Sequence, residues 1–291
     1  MKEKTKAILF ILCAGFCFSW MNAFVRLSGD VPSIEKSFFR NAVAAVVAAV
    51  LLWRSGTGFR FKRENLHLFL LRSACGTLGV LGNFYAVDHL VLSNASMLNK
   101  MSPFFALLFS FLLLRERLTP VQVGLVALAF GGSLFIIKPT VSNLDLIPSL
   151  AGFAGGVGAG AAYTFVRMLA LRGERGPVIV LFFSLFSCLS VLPWVATHFV
   201  PLSANQLLCL LGAGAAATGG QFSITAAYSH APAREVSIYD YAQILFSAAI
   251  GFLLFGDVPD GWSFLGYVLI IGAAVLMFGY SNRRTGTNSE K

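Results

Sequence analysis

Ten stretches of about twenty mostly apolar residues follow one another along the chain with short polar breaks. They run at 7–26, 34–53, 66–88, 93–114, 121–138, 147–171, 177–197, 204–229, 235–255 and 262–280. Coiled as a helix rising 1.5 Å per residue, each matches the roughly 30 Å hydrocarbon core of a bilayer. The runs are continuous rather than alternating, which excludes a transmembrane β-barrel. Charged residues make up 12% of the chain, about half the share usual in soluble proteins. The expected fold is an all-α membrane protein with ten transmembrane helices.

The first run follows Lys2, Lys4 and Lys6, as a signal peptide's would. It is too long for that, and Asn22-Ala23-Phe24-Val25-Arg26 offers no small-residue cleavage site. It reads as a retained first span. With the N-terminus in the cytoplasm, fifteen Lys and Arg residues fall on the inner side. Arg54, Arg60, Lys62, Arg115, Arg117, Arg172, Arg175 and Arg234 are among them. Only Arg26, Lys36 and Lys138 fall outside. The positive-inside rule then puts both termini in the cytoplasm of a multi-pass protein of the cell (inner or plasma) membrane. Basic residues dispersed over short loops account for the net charge of +9 without a nucleic-acid partner.

Glycines cluster inside the spans, at 152, 155, 156, 158 and 160 and again at 212, 214, 219 and 220. Small residues let helices approach closely in lipid, so each cluster marks a packing surface. Cys13, Cys17, Cys75, Cys188 and Cys209 all fall within spans and lack ligand-spaced partners, so no metal site is expected.

Shifted by 141 residues, the chain matches itself without a gap. Phe24-Val25-Arg26 meets Phe165-Val166-Arg167, Trp53 meets Trp194, His89 meets His230, and Glu116 meets Asp257. The repeat divides the chain into 1–141 and 142–291, with five spans in each part. Five is odd, so the second copy enters the membrane from the opposite side. Inverted repeats place a binding site near the midplane, where the halves meet, and permit alternating access around it.

Particular phrases add to this pattern. They are Ser37-Phe38-Phe39-Arg40, Asn83-Phe84-Tyr85-Ala86, the stretch 95–103, and Leu112-Leu113-Leu114-Arg115-Glu116-Arg117-Leu118. Gly131-Gly132 and Gly251-Phe252-Leu253-Leu254-Phe255-Gly256-Asp257-Val258-Pro259 continue the theme. In order and twice over, they resemble the drug/metabolite transporter superfamily, specifically its EamA-type ten-span members, across about residues 6–280. Phe38-Phe39-Arg40 and Tyr239-Asp240-Tyr241 look most like the branch containing S-adenosylmethionine uptake carriers. The resemblance implies a transporter of small metabolites, with organic anions among the substrates assigned to relatives.

Charges inside hydrocarbon cost several kcal/mol unless a cavity, a partner or the interface relieves them. Arg72 and Arg167 lie near the cytoplasmic ends of their spans and are expected to snorkel to the headgroups. Arg40 and Lys100 sit about seven residues deep and are candidates to face a cavity and hold a carboxylate or phosphate. The competing reading for Arg40 is a structural ion pair with Glu35 or Asp88. The offset carries Asn99 and Lys100 to Asp240 and Tyr241, so the same positions are polar in both halves. Asp240, flanked by Tyr239 and Tyr241, is a candidate to carry a coupling proton, to bind a cationic group, or to pair with Lys100. Trp20, Asn22, Asn83, Tyr85, Tyr163, Gln221, Tyr228 and Gln243 complete the candidate substrate wall, a mostly apolar pocket with a few placed polar groups. Taken singly, any of them also fits a packing role. Trp53, Trp194 and Trp262 lie at span ends as interfacial anchors. Pro103 is a candidate to kink the fourth span, and because its counterpart is Ile244 the two halves need not bend alike.

No phosphate-binding loop and no catalytic constellation around His67, His89, His198 or His230 is present. The expectation is a secondary carrier without cofactor. Its partners would be a small-molecule substrate, the lipid bilayer, and a coupling proton or exchanged metabolite. A channel, a scaffold or a membrane-embedded enzyme are the alternatives.

Overall fold

The computed structural model describes residues 3–56, 58–114, 119–137, 146–231 and 237–288. Arg115, Glu116, Arg117, Lys138 and Arg234 lie outside them. The described residues form helices and connecting turns, with no strand. The helices are α1 (Glu3–Leu27), α2 (Ser33–Arg54), α3 (Leu66–His89), α4 (Leu92–Asn99), α5 (Ser102–Leu114) and α6 (Pro120–Ile137). They continue with α7 (Leu146–Leu171), α8 (Gly176–His198), α9 (Ala204–His230), α10 (Ala242–Phe255) and α11 (Gly261–Asn288). Six stretches are long and apolar enough to cross a membrane: Thr5–Leu27, Ser33–Arg54, Asn94–Leu114, Leu146–Leu171, Gly176–His198 and Ala204–His230. Val123–Gly132, Tyr239–Phe255 and Gly261–Ala273 are shorter apolar helices.

Large apolar side chains face outward along the helices, as Leu78, Leu189, Leu208, Leu245, Leu253 and Phe264 do, while Arg40, Arg72, Lys100 and Asp240 are buried. That inverts the soluble pattern, in which charged residues are almost never fully buried unless paired. It is the arrangement of a multi-pass membrane protein with a polar interior. Trp53 and Trp262 are exposed, in keeping with anchors at an interface.

The broadest interfaces are α3 with α7 and α1 with α9, then α2 with α8 and α6 with α11. Under the 141-residue offset α1 corresponds to α7 and α3 to α9. The first two interfaces are therefore one interface made twice, and the other two each join equivalent helices.

Glycine makes the doubled interface possible. A Cβ on Gly82 of α3 would lie 2.5 Å from the Ala151 carbonyl oxygen on α7. One on Gly160 of α7 would lie 2.6 Å from both the Phe105 Cβ and the Ser102 oxygen on α5. One on Gly220 of α9 would lie 2.6 Å from the Phe18 ring of α1. Gly82 and Gly160 meet a neighbouring backbone and Gly220 meets an aromatic ring, approaches that an added methyl group forces apart. Gly160→Ala is expected to cost about 1–3 kcal/mol by overpacking, read as a lower melting temperature of the detergent-solubilised protein. Gly124→Ala, where nothing lies within 4 Å, is the control and should cost nothing.

The fourth apolar run is broken. α4 ends at Asn99 and α5 begins at Ser102, so Lys100 and Met101 stand between two helices. In the second half a 3-10 turn, Ser237–Tyr241, leads into α10. Residues 100 and 241 are repeat equivalents, so both halves leave α-geometry at the same register. The first-half break thus lies just ahead of Pro103, while the second half departs from α-geometry without a proline at the equivalent Ile244. A carbonyl freed at the break needs a donor, and the Tyr241 hydroxyl supplies one to Lys100 O at 3.0 Å.

Candidate functional site

A cavity of about 60 Å³ (space for the centres of water-sized molecules) lies in the middle of the bundle. Its walls come from α1, α2, α3 and α4 in the first half and, in the second, from α7, α8 and α9, the equivalents of α1, α2 and α3, together with α10, the equivalent of α5. Six of the residues singled out from the sequence line it: Arg40, Asn83, Asn99, Tyr163, Gln221 and Gln243.

Arg40 is fixed from below by its own helix. Asn41 Nδ2 donates to the Ser37 carbonyl at 2.8 Å and to Ser187 Oγ on α8 at 2.9 Å. That leaves Asn41 Oδ1 to accept from Arg40 Nη1 at 2.8 Å. Arg40 Nη2 reaches Gln221 Oε1 at a long 3.5 Å, and its Nε has no partner. Neither Glu35 nor Asp88 pairs with it. Glu35 accepts from the Val200 amide, and Asp88 takes Lys36 Nζ at 2.6 Å and Ser33 Oγ at 2.9 Å.

Arg72 is a residue the sequence reading missed as a site residue. Snorkelling was expected, yet its side chain turns inward, lines the cavity and is only 2% exposed. Its guanidinium carbon sits 3.7 Å from the centroid of Phe183 on α8. Part of the cause is local: Gly76, one turn further along α3, leaves the space, since a Cβ there would lie 2.6 Å from Arg72 Nη1. The Arg72–xxx–Gly76 spacing was the available signal.

Tyr163 stacks on Tyr228 with centroids 5.0 Å apart and planes 20° off parallel. Behind this pair lies a second polar layer. Lys100 Nζ and Asp240 Oδ1 form an ion pair at 2.7 Å, with side chains 2% and 0% exposed. Asp240 Oδ2 has no hydrogen-bond donor among the described residues. Tyr241 is buried here through its bond to Lys100 O. Ser96 Oγ, Ser247 Oγ and Ser19 Oγ, linked at 2.9 and 3.0 Å, tie α4, α10 and α1 together beside it.

Asn22 joins the cavity wall indirectly, accepting from Asn83 Nδ2 at 3.0 Å. Trp20 packs against Phe24 and the core, away from the cavity. Tyr239 is partly buried against the core. Tyr85, two residues from Asn83 and so roughly 200° around the helix, lies against a different cavity of about 520 Å³. Arg26, Asp30, Ser33, Asp88 and His89 line that larger space with it. Beside it Arg26 forms an ion pair with Asp257 and lies over the Phe255 ring. Asp257 also accepts from the Leu92 amide at 3.1 Å. Arg167, the repeat counterpart of Arg26, is part-buried and donates to the Tyr228 and Ser229 carbonyls. No group of three His, Cys, Asp or Glu side chains among the described residues is placed to hold a metal ion.

A profile of the EamA-like transporter family matches residues 5–138 and, a second time, residues 146–279. The pseudopaline exporter CntI of Pseudomonas aeruginosa strain PAO1 is 33% identical over 272 residues, covering 93% of this chain and 95% of the relative. Its counterpart in strain UCBPP-PA14 is 31% identical over the same shares. A riboflavin transporter of Brucella anthropi is 27% identical, covering 85% of this chain and 88% of that one. A crystal structure of a protein 17% identical in sequence superposes with a TM-score of 0.71, covering 96% of this chain and 98% of that one. That likeness shows a shared fold.

Proposed function

This chain belongs to the EamA-like transporter family, and from that premise we propose that it is a secondary carrier moving a small polar metabolite by alternating access. It is a transporter and not an enzyme. The proposed architecture is ten transmembrane helices in two inverted five-helix repeats, residues 1–141 and 142–291, with both termini in the cytoplasm. The membrane is the cell (inner or plasma) membrane. One observation carries the reading: the central cavity is lined by the first four apolar runs of the chain and by the equivalent runs of the second half, the sixth to the ninth. A site built by both copies is where inverted repeats bind and rock.

The size of the cavity supports movement. By the same measure a water molecule needs about 10–15 Å³, so the cavity has room for roughly five. Any metabolite is larger, and the helices around it must separate to admit one. Relatives are named for export of pseudopaline and transport of riboflavin, and for this chain the proposed cargo is amino-acid-like, carboxylate-bearing or S-adenosylmethionine-like. Asp240, with Lys100 as its partner, is the proposed proton-coupling residue. The substrate-binding set is Arg40, Asn83, Asn99, Tyr163, Gln221 and Gln243. Asn22, Lys100, Tyr228 and Tyr241 stand behind it. Trp20, Tyr85 and Tyr239, which lie off the cavity, are assigned to the outer wall and the approach.

Purified protein in proteoliposomes is expected to give saturable uptake that accelerates when substrate is loaded on the far side. Uptake rising linearly with concentration and without counterflow would favour a channel. No movement of any metabolite would favour a receptor or scaffold. A lumenal pH dye should follow protons with the substrate in the wild type, and Asp240→Asn should abolish that proton signal. Unchanged proton movement in the variant would remove Asp240 from coupling.

A further inference from the structure

We propose that the cargo is an anion with two acidic groups, held by Arg40 and Arg72 around the face of Phe183; the inference rests on the carrier reading above and narrows its substrate. Both guanidinium groups are buried, and arginine stays charged in proteins. Among the described residues neither has an acidic partner. The buried acids nearby are committed elsewhere: Asp240 to Lys100, Asp88 to Lys36, Asp257 to Arg26 and Glu35 to the Val200 amide. Because Lys100 and Asp240 cancel, the two arginines leave the cavity with two uncompensated positive charges against one phenylalanine ring.

Their hydrogen bonding is also incomplete. Arg72 Nε and Nη1 and Arg40 Nε have no acceptor. A guanidinium offers five N–H donors in a planar fork, so each arginine retains donors for a ligand. Phe183 holds both cations without neutralising either, with Arg72 at 3.7 Å and Arg40 at 5.6 Å from its centroid. A ring face attracts a cation but accepts no conventional hydrogen bond from it. Gly76 keeps the gap in which Arg72 lies flat on that ring. A buried charge without a partner is strongly unfavourable, and two near each other compound it. An anion that brings one acidic group to each fork removes both penalties at once. A monoanion leaves one charge uncompensated, and a sulfonium cation such as that of S-adenosylmethionine meets repulsion from both.

The test is binding to the purified full-length protein by thermal shift and calorimetry, using dicarboxylates from malonate to adipate, their monomethyl esters, phosphate monoesters and S-adenosylmethionine. One of the two-acid anions is expected to bind. Its monoester should bind at least tenfold more weakly, since a hydrogen bond to a charged group is worth about one to two decades in affinity. Arg72→Met and Arg40→Met should each lose about 10–100-fold on the same reasoning. Without ligand, Arg72→Met should melt no lower than the wild type, because it removes an uncompensated charge. A purely structural arginine on Phe183 would lower it. Binding unaffected by either substitution, or equal binding of the monoester, overturns the inference. Arg72→Lys keeps the charge without the fork and should retain part of the affinity. The carrier reading is judged separately: saturable counterflow of another substrate, insensitive to both arginines, leaves the carrier standing and removes the dianion. Arginine-dependent binding without any flux does the reverse.

Discussion

Replacing Lys100 with methionine is expected to cost the fold about 3–5 kcal/mol, the penalty for leaving a fully buried charge without its partner. Asp240 is 0% exposed and its Oδ1 depends on the Lys100 ammonium at 2.7 Å. Tyr241 spends its hydroxyl on the Lys100 carbonyl, and Lys100 is the cation paired with that carboxylate. The double variant Lys100→Met/Asp240→Leu should regain most of the loss. Exchanging a buried ion pair for apolar side chains of similar volume is often neutral or stabilising. Melting of the three proteins in one detergent makes the comparison. A Lys100→Met variant within about 0.5 kcal/mol of wild type, the scale of a surface substitution, would mean the pair is not formed in the native protein. The double variant also serves function: a stable protein that still moves substrate but no proton would assign coupling to this pair.

Asp257→Ala is expected to open one face of the cavity. Asp257 ties three elements together, through the ion pair to Arg26 at the end of α1, the Leu92 amide at the start of α4, and its own position after α10. Gly256, in the left-handed region at φ 65°, stops α10 and turns Asp257 back toward Arg26. Hydrogen bonds to charged groups contribute about 1.5–3 kcal/mol. Arg26 is 29% exposed, so solvent screening leaves the lower end of that range. On the proposed cycle that is still about a tenfold change in the open population. Asn99→Cys, in a background with the five native cysteines replaced, would report it through its labelling rate with an impermeant maleimide. The rate from the face bearing Asp257 should rise about tenfold in Asp257→Ala, while the rate from the other face should fall or hold. Equal labelling from both faces in both proteins would reduce the pair to a loop fastening.

The membrane class and the helical segments were legible because they depend on run length and hydropathy, which are local. The doubling was legible because rare residue types, Arg26 with Arg167 and Glu116 with Asp257, recur in one register. Which face of a helix meets which neighbour is not local, and there the reading failed. Arg72 looked like a snorkelling residue by depth alone. Its burial is decided by Phe183, more than a hundred residues away, and by the space at Gly76. Lys36 looked like a loop residue outside the membrane but is buried against Asp88. Tyr85 shares a phrase with Asn83 and faces another cavity, because two residues along a helix is slightly more than half a turn. The break at residues 100 and 241 was masked by a proline that exists in only one half.

The contact between Tyr241 and Lys100 joins two positions that are copies of one another. In a dimer of identical five-helix chains, such a position would face its own twin, and a lysine there would meet a lysine. No ion pair between unlike residues could form at that spot unless it formed twice, once on each side of the axis. A single continuous polypeptide removes the constraint. The two copies can diverge independently, one to Asn99 and Lys100, the other to Asp240 and Tyr241. The centre of the molecule can then be chemically lopsided while the scaffold stays paired. Within one continuous chain, opposite charges can therefore meet at the centre although the two copies share one scaffold.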